Sequence, residues 1–264
     1  MWFFLSIILL AAICIALFFL IPYSPTSAAY HRLANEKIRA EPSSINVFTE
    51  ADINRLPLPV QRYFHYCGYL DTPKMSYMKA FFYNVDFVMS ESKKIKINYQ
   101  QLNLASRPER FALISSSLSG IPFEGIDSFD NGEGSMKGTL AKVIPLFNQR
   151  GENMDRACLV TWLAECLLVP NAALQEFVTW EAMDNTHTKA TIFWHDISAS
   201  GVFTFADSGE LLSFRTSDRV AVDLNGNQTA ADWAAYFCEY DAVNGILQAR
   251  IMRAVWDLQS ADLI

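Results

Sequence analysis

The sequence predicts a mainly β (α+β) protein: one N-terminal transmembrane helix, then a curved antiparallel sheet of about ten or eleven strands packed around one buried helix. Three observations carry this. Residues 1–21 (MWFFLSIILLAAICIALFFLI) hold no charged side chain. From residue 74 onward apolar residues alternate with period two, and turn dipeptides recur at short intervals. Inside that region, residues 154–169 are instead apolar at helical spacing.

The anchor comes first. At about 1.5 Å per residue, residues 1–21 span roughly 30 Å, the thickness of a bilayer core. A cleaved signal peptide has a basic start and a shorter apolar run. Neither is present here, although Ser27-Ala28-Ala29 offers small residues at a cleavage position. The flanking charges, Arg32, Lys37 and Arg39 among Glu36 and Glu41, leave the orientation open, because large C-terminal domains cross regardless of weak charge. The expected organisation is an anchor at 1–22, a helical preface at 23–48, and a β-rich domain at 49–264 with helices at 49–67 and 154–169.

Pro22 and Pro25 end the anchor, and residues 27–41 read as a short polar helix. Thr49 with Asp52 marks a helix N-cap. Val60, Tyr63, Phe64 and Cys67 then follow at helical spacing, and Gly68 closes the helix. Strands are predicted at 109–118, 121–130, 134–146, 177–184, 188–196, 200–207, 211–222, 232–241 and 246–257, after the alternating segments at 74–83 and 94–99. Asn131-Gly132, Ser200-Gly201, Ser208-Gly209, Asn225-Gly226 and Asn244-Gly245 supply the turns. Such short connections join antiparallel neighbours.

Charge and motifs narrow the chemistry. A net charge of -7 and a pI near 5.1 argue against nucleic acid as a partner, since its binders present basic surfaces. Lys93-Lys94-Lys96 reads as the solvated face or protected edge of a strand. Gly132-Glu133-Gly134 with Gly138 has the wrong spacing, and no helix start, for a phosphate loop. Asp127, Asp130 and Asn131 lack calcium-loop spacing, because Gly138 stands where the bidentate Glu should be. No pair among His31, His65, His187 and His195 is spaced for a helix-borne metal site; a meeting of His187 and His195 across a hairpin is the alternative to ordinary surface or hydrogen-bonded histidines. Ser115-Ser116-Ser117 has no nucleophile-elbow context. These readings give no catalytic residue, no metal ligand and no cofactor. Cys158 and Cys166, eight apart on a helix, lie about 12 Å apart and beyond disulfide reach. A bridge between Cys67 and Cys238 stays open.

Glu165 stands out in a nearly apolar helix, where a carboxylate must be paired or neutral. Arg62, Arg215 and Arg219 are its expected partners, and a ligand role is the alternative. Asp155 suits the dipole at the start of the same helix.

Leu56-Pro57-x-Pro59-Val60-x-Arg62-Tyr63 with Gly68 resembles the opening signature of an uncharacterised bacterial family of membrane-anchored proteins. Further blocks follow in order: Asp130-x-Gly132-x-Gly134-x-Met136, Asp155 with Leu163-Ala164-Glu165 and Pro170, Trp180-Glu181-Ala182 with Asp184, Phe203-x-Phe205 with Gly209, Arg219, and Trp256. The resemblance covers roughly 49–258. It carries no activity. The strand-rich pattern is similar to periplasmic lipoprotein carriers, which implies an extracytoplasmic body on a cell membrane. Phe81, Phe82, Tyr83, Phe87 and Met89 make both faces of one strand apolar, which demands a helix, a ligand or the membrane. The resulting expectation is a non-catalytic domain binding an apolar or lipid-like ligand, with Glu165, Trp162, Arg62, Trp180 and Arg219 as candidate ligand-binding residues. An interaction or scaffold domain without ligand is the rival, and an enzyme of unknown class ranks third.

Overall fold

The computed structural model describes residues 2–42, 46–90, 93–118, 120–222 and 228–257. The first helix, α1 (Trp2–Leu20), is apolar on all sides, and its large side chains are exposed. Pro25 does not end a helix but opens one. With φ already fixed it suits the first helical turn, and α2 (Pro25–Ala40) starts from a Ser24 cap. Helix α2 buries Tyr30 and Ala34 against Leu102, Leu104, Phe111 and Leu113. Lys37, from its last turns, binds Glu109 at 2.8 Å and Asp130 at 2.5 Å.

The predicted 49–67 helix divides at its prolines into α3 (Glu50–Ile53) and α4 (Leu58–Cys67). Thr49 caps α3 reciprocally with Asp52, its backbone N–H donating to that carboxylate at 2.8 Å. Gly68 ends α4 in the left-handed region at φ 75°, where a Cβ would be strained.

Two six-stranded antiparallel sheets replace the single sheet expected from the sequence. The first is a simple meander of β1 (Tyr77–Ser90), β2 (Lys93–Leu104), β3 (Arg110–Leu118), β4 (Ile121–Asp130), β5 (Glu133–Leu140) and β6 (Ile144–Gln149). Helix α5 (Glu152–Glu165), a 3-10 turn at Cys166–Leu168 and α6 (Pro170–Ala173) follow. The second sheet contains β7 (Val178–Ala182), β8 (His187–Trp194), β9 (Ile197–Phe205), β10 (Leu211–Thr216), β13 (Asp232–Val243) and β14 (Ile246–Asp257). Its order is β14-β13-β10-β9-β8-β7. A ribbon of β11 (Val220–Val222) and β12 (Gln228–Ala230) interrupts it. The division falls at α5, which leaves β6 and packs on β4 and β5 with one side and on β8 and β9 with the other. It is therefore an inter-sheet layer rather than a filling for one concave face.

Further differences have local causes. The predicted helix 154–169 stops at Glu165, and Pro170 opens α6 instead of closing its predecessor. The predicted strand 134–146 breaks because Ala141 and Lys142 both take positive φ, at 50° and 68°. Ser200-Gly201 is no turn but the middle of β9, where an added Cβ on Gly201 would come 2.2 Å from the Phe214 ring. That aromatic fills the space a side chain would need. The predicted strand 211–222 is two strands, β10 and β11. The turns at Asn131-Gly132, Ser208-Gly209 and Asn244-Gly245 form as expected. Asn225-Gly226 and the side chains of Met89 and Lys93 lie outside the described residues.

The main core lies between the two sheets, around α5 and α4, and includes Trp162, Leu163, Tyr63, Phe64, Phe203, Phe205, Phe214 and Phe237. A smaller one lies under α2 on the outer face of the first sheet. The described cysteines are all free thiols, including Cys67 and Cys238. Burial raises the Cys67 thiol to about 12.

Candidate functional site

The inner face of the first sheet, the one turned toward α5, is the candidate site, and it has two unlike halves. Side chains alternate along a strand, so Tyr99, Gln101 and Asn103 share one face of β2. The register places Asn103 opposite Arg110 on β3.

The half under α5 is polar and closed. Glu165, at the last position of α5, accepts from Arg110 Nε at 2.9 Å, Asn103 Nδ2 at 2.7 Å and Gln101 Nε2 at 3.0 Å. Arg110 also donates from Nη1 to Asp127 at 2.8 Å and from Nη2 to the Tyr99 hydroxyl. The sequence thus foresaw a paired Glu165 but not its partner: Arg110, rather than Arg62, Arg215 or Arg219. Desolvation would drive the Arg110 pKa down, yet the Glu165, Tyr99 and Asp127 contacts outweigh it and hold the pKa well above the ordinary value. Gly134 lets α5 approach. A Cβ there would sit 2.6 Å from the Met154 carbonyl oxygen, and Asp155 accepts from the Gly134 N–H at 2.6 Å. Glu165, Arg110, Asn103, Gln101 and Asp127 each have a partner of opposite charge or polarity here, which suits a structural network better than a reacting centre.

Of the other candidate residues, Trp162 is buried beside this network and donates from Nε1 to the Leu104 carbonyl at 3.1 Å. Arg219 stacks on Trp233 and Trp256, at 4.5 and 5.2 Å, and donates to Thr161 of α5 at 3.1 Å. Burial lowers its pKa to about 10. Arg62 and Trp180 lie elsewhere. Arg62 clasps the carbonyls of Asn185 and Asp207, and Trp180 donates to Ala173 at 2.9 Å and packs on Phe203. The structure brings Glu165, Trp162 and Arg219 to one helix and leaves Arg62 and Trp180 outside that group. His187 binds Asp184 at 3.0 Å, while His195 turns the opposite end of β8, so the two histidines do not meet.

The other half of the same face is apolar and open. Two successive rows cross all six strands. One runs Phe82, Tyr99, Ile114, Gly125, Gly138, Phe147. The next runs Val85, Ile97, Ser116, Phe123, Leu140, Ile144. Ile97 and Ile114 are buried in this trough, yet they belong to neither hydrophobic core. Phe82, Val85, Phe123, Leu140 and Phe147 are half-buried and also stand outside both. The Phe82–Tyr99 and Phe123–Phe147 rings lie 6.3 and 6.4 Å apart. The alternation of Ile95, Ile97 and Tyr99 made this face legible in the sequence, but its continuation on β3 to β6 needs the register. Two shallow clefts lined by charged and polar residues lie elsewhere, one beside Arg32 and Arg39 of α2 and one beside Asp130 and Arg150. The trough is an open face rather than a closed cavity.

The mouth of the trough is where α1 leaves the body. Lys142, in the β5–β6 turn, donates to the carbonyls of Phe18 at 2.8 Å, Phe19 at 3.4 Å and Ile21 at 2.7 Å. These are the oxygens a helix end leaves unpaired. Ser24 donates to Glu124 of β4. Among the described residues, no group of three or more His, Cys, Asp or Glu side chains is placed to hold a metal ion.

The residue pattern of a family of unknown function, DUF6544, matches residues 46–264. The chain belongs to this family. The matched span takes in α3, α4, both sheets and α5, and it begins after α1 and α2. No curated protein and no solved structure matches the chain.

Proposed function

We propose that this member of the DUF6544 family is a single-pass membrane-anchored, non-catalytic domain that binds an apolar or lipid-like molecule on the inner face of its first sheet. Its body lies on the extracytoplasmic side of a cell membrane. The observation that carries the reading is the apolar trough. A sheet face normally finds a helix or a second sheet to cover it, and these two rows lie outside both cores. Burial of apolar surface contributes about 25 cal/mol per Å², so an acyl chain laid across six strands gains substantially from leaving water. The anchor supports the same reading. Helix α1 is long and apolar enough to cross a bilayer, and it departs beside the trough's mouth.

The scaffold alternative draws on the filled space between the sheets, where Trp162 and Leu163 occupy the interior. A ligand in this reading therefore sits beyond α5 and not beneath it. The test is saturable binding of a fluorescent fatty-acid analogue to the full chain in a maltoside detergent. Wild type should bind near one equivalent. Phe82→Asp and Leu140→Asp should weaken binding at least tenfold, while Leu212→Asp on the second sheet should not. Equal binding by all four proteins, or none by wild type, would leave the scaffold reading in its place.

A further inference from the structure

We infer that the described residues flanking the β1–β2, β3–β4 and β5–β6 turns form a membrane-contact surface that seats the body on the bilayer holding α1. The inference rests on the anchor reading above and goes beyond it, because an anchored domain can equally hang free in solution on its helix.

Alternate turns of a meander fall at the same end. The register closes these three hairpins at Ser90↔Lys93, Leu118↔Ile121 and Leu140↔Ile144. Near them Phe87, Val88, Ile121, Val143 and Ile144 are between 42% and 58% exposed. Five large apolar side chains exposed along one end of a sheet are the kind of surface that soluble proteins avoid. The opposite end of the sheet carries Arg107 in the β2–β3 connection and Asp130, Asn131 and Glu133 about the β4–β5 turn, with Tyr77 at the start of β1 also exposed. Among the described residues, apolar exposure is concentrated at the hairpin end.

The occupant is identified by α1. Lys142 lies between Leu140 and Ile144 and holds the last carbonyls of α1, while Ser24 ties the α1–α2 elbow to Glu124. The apolar hairpin ends therefore adjoin the point at which the apolar helix emerges. Exposed Lys94 and Lys96 flank Phe87 and Val88 on the same hairpin. Long cationic side chains beside apolar ones suit the headgroup boundary, where the stems bury and the ammonium groups reach anionic lipid. Lys96 is paired with Asp86 at 2.6 Å, so Lys94 carries most of that attraction.

The test uses the full chain in phosphatidylcholine–phosphatidylglycerol vesicles. On a Cys14→Ser, Cys238→Ser background, single cysteines from Phe87→Cys, Ile121→Cys, Ile144→Cys and, as a control, Arg107→Cys are labelled with an environment-sensitive fluorophore. The three hairpin positions should emit to the blue of position 107. Headgroup-proximal doxyl lipid should quench them at least threefold more than that control, and aqueous iodide should quench them less. Retention of the chain through alkaline carbonate, with all four positions equally open to iodide, would overturn the membrane contact and leave the anchor intact. Release of the chain by carbonate would overturn the anchor itself, and the contact with it.

Discussion

The two halves of the first sheet's inner face use the same strands to opposite ends. Under α5, four polar or charged side chains of β2, β3 and β4 converge on one carboxylate and on each other. About 7 Å further along those strands, by the spacing of alternate residues, the face turns apolar and has no covering element among the described residues. The difference teaches where energy is committed and where it is left open. The network is satisfied and leaves little for a ligand. The trough is unsatisfied in a different sense, because its apolar area is removed from water only in part.

Breaking the closed half should have the largest effect. Removing one partner of a buried ion pair costs about 3–5 kcal/mol, so Glu165→Ala should lower the melting temperature of the chain by roughly 10 °C. Arg110 would keep Asp127 but lose its principal partner. A loss below about 1 kcal/mol in a denaturant titration would mean that the network is not structural, and that Glu165 is available to a ligand.

Gly134→Ala comes next. The new methyl would press on the Met154 carbonyl, and overpacking of this kind costs about 1–3 kcal/mol. The variant should unfold at lower denaturant concentration with its slope unchanged. Wild-type stability would show that α5 can shift along the sheet.

Truncation in the open half should cost less still. Phe82→Ala should change stability by under about 1 kcal/mol, since the ring is only half-buried and outside both cores, while fatty-acid binding falls severalfold. The same truncation at Phe203, fully buried in the main core, should cost about 3–5 kcal/mol. Equal losses at the two positions would erase the distinction between trough and core.

The smallest effect concerns pH. Backbone N–H donation from Thr186, then the His187 contact, holds the Asp184 carboxyl down at about 2. A depressed acid contributes stability above its ordinary pKa near 3.8 that is lost as pH falls through about 2. Asp184→Ala should therefore flatten only the acid limb of the stability profile and leave ligand binding unchanged. A change in binding at neutral pH would tie this exposed turn to the trough.

How much was legible follows the physics of range. Local signals came through: the capping of α3, the Gly68 stop, the Asn131-Gly132 hairpin, and β14 with the bounds expected. Chain-distant relations did not. Nothing in the alternation of β1 to β14 says that α5 closes one sheet and opens another. Glu165 read as buried because its neighbours are apolar, but Arg110 lies 55 residues away on a strand. The polar positions Gln101, Asn103 and Arg110 do share a face, and that stripe was the available signal. The break at Ala141 and Lys142 had no signal, because neither residue type favours positive φ.

Lys142 has one more consequence. A helix that ends in a loose tether lets its cargo spin and wander, whereas here the last carbonyls of α1 are gripped by a turn more than a hundred residues downstream. The end of the helix is thereby tied to the sheet by three hydrogen bonds from one ammonium group. If α1 lies in a lipid plane, as proposed above, its roll about its own axis would bias the compass bearing of the trough, so neighbours touching one side of that helix would help to aim the face.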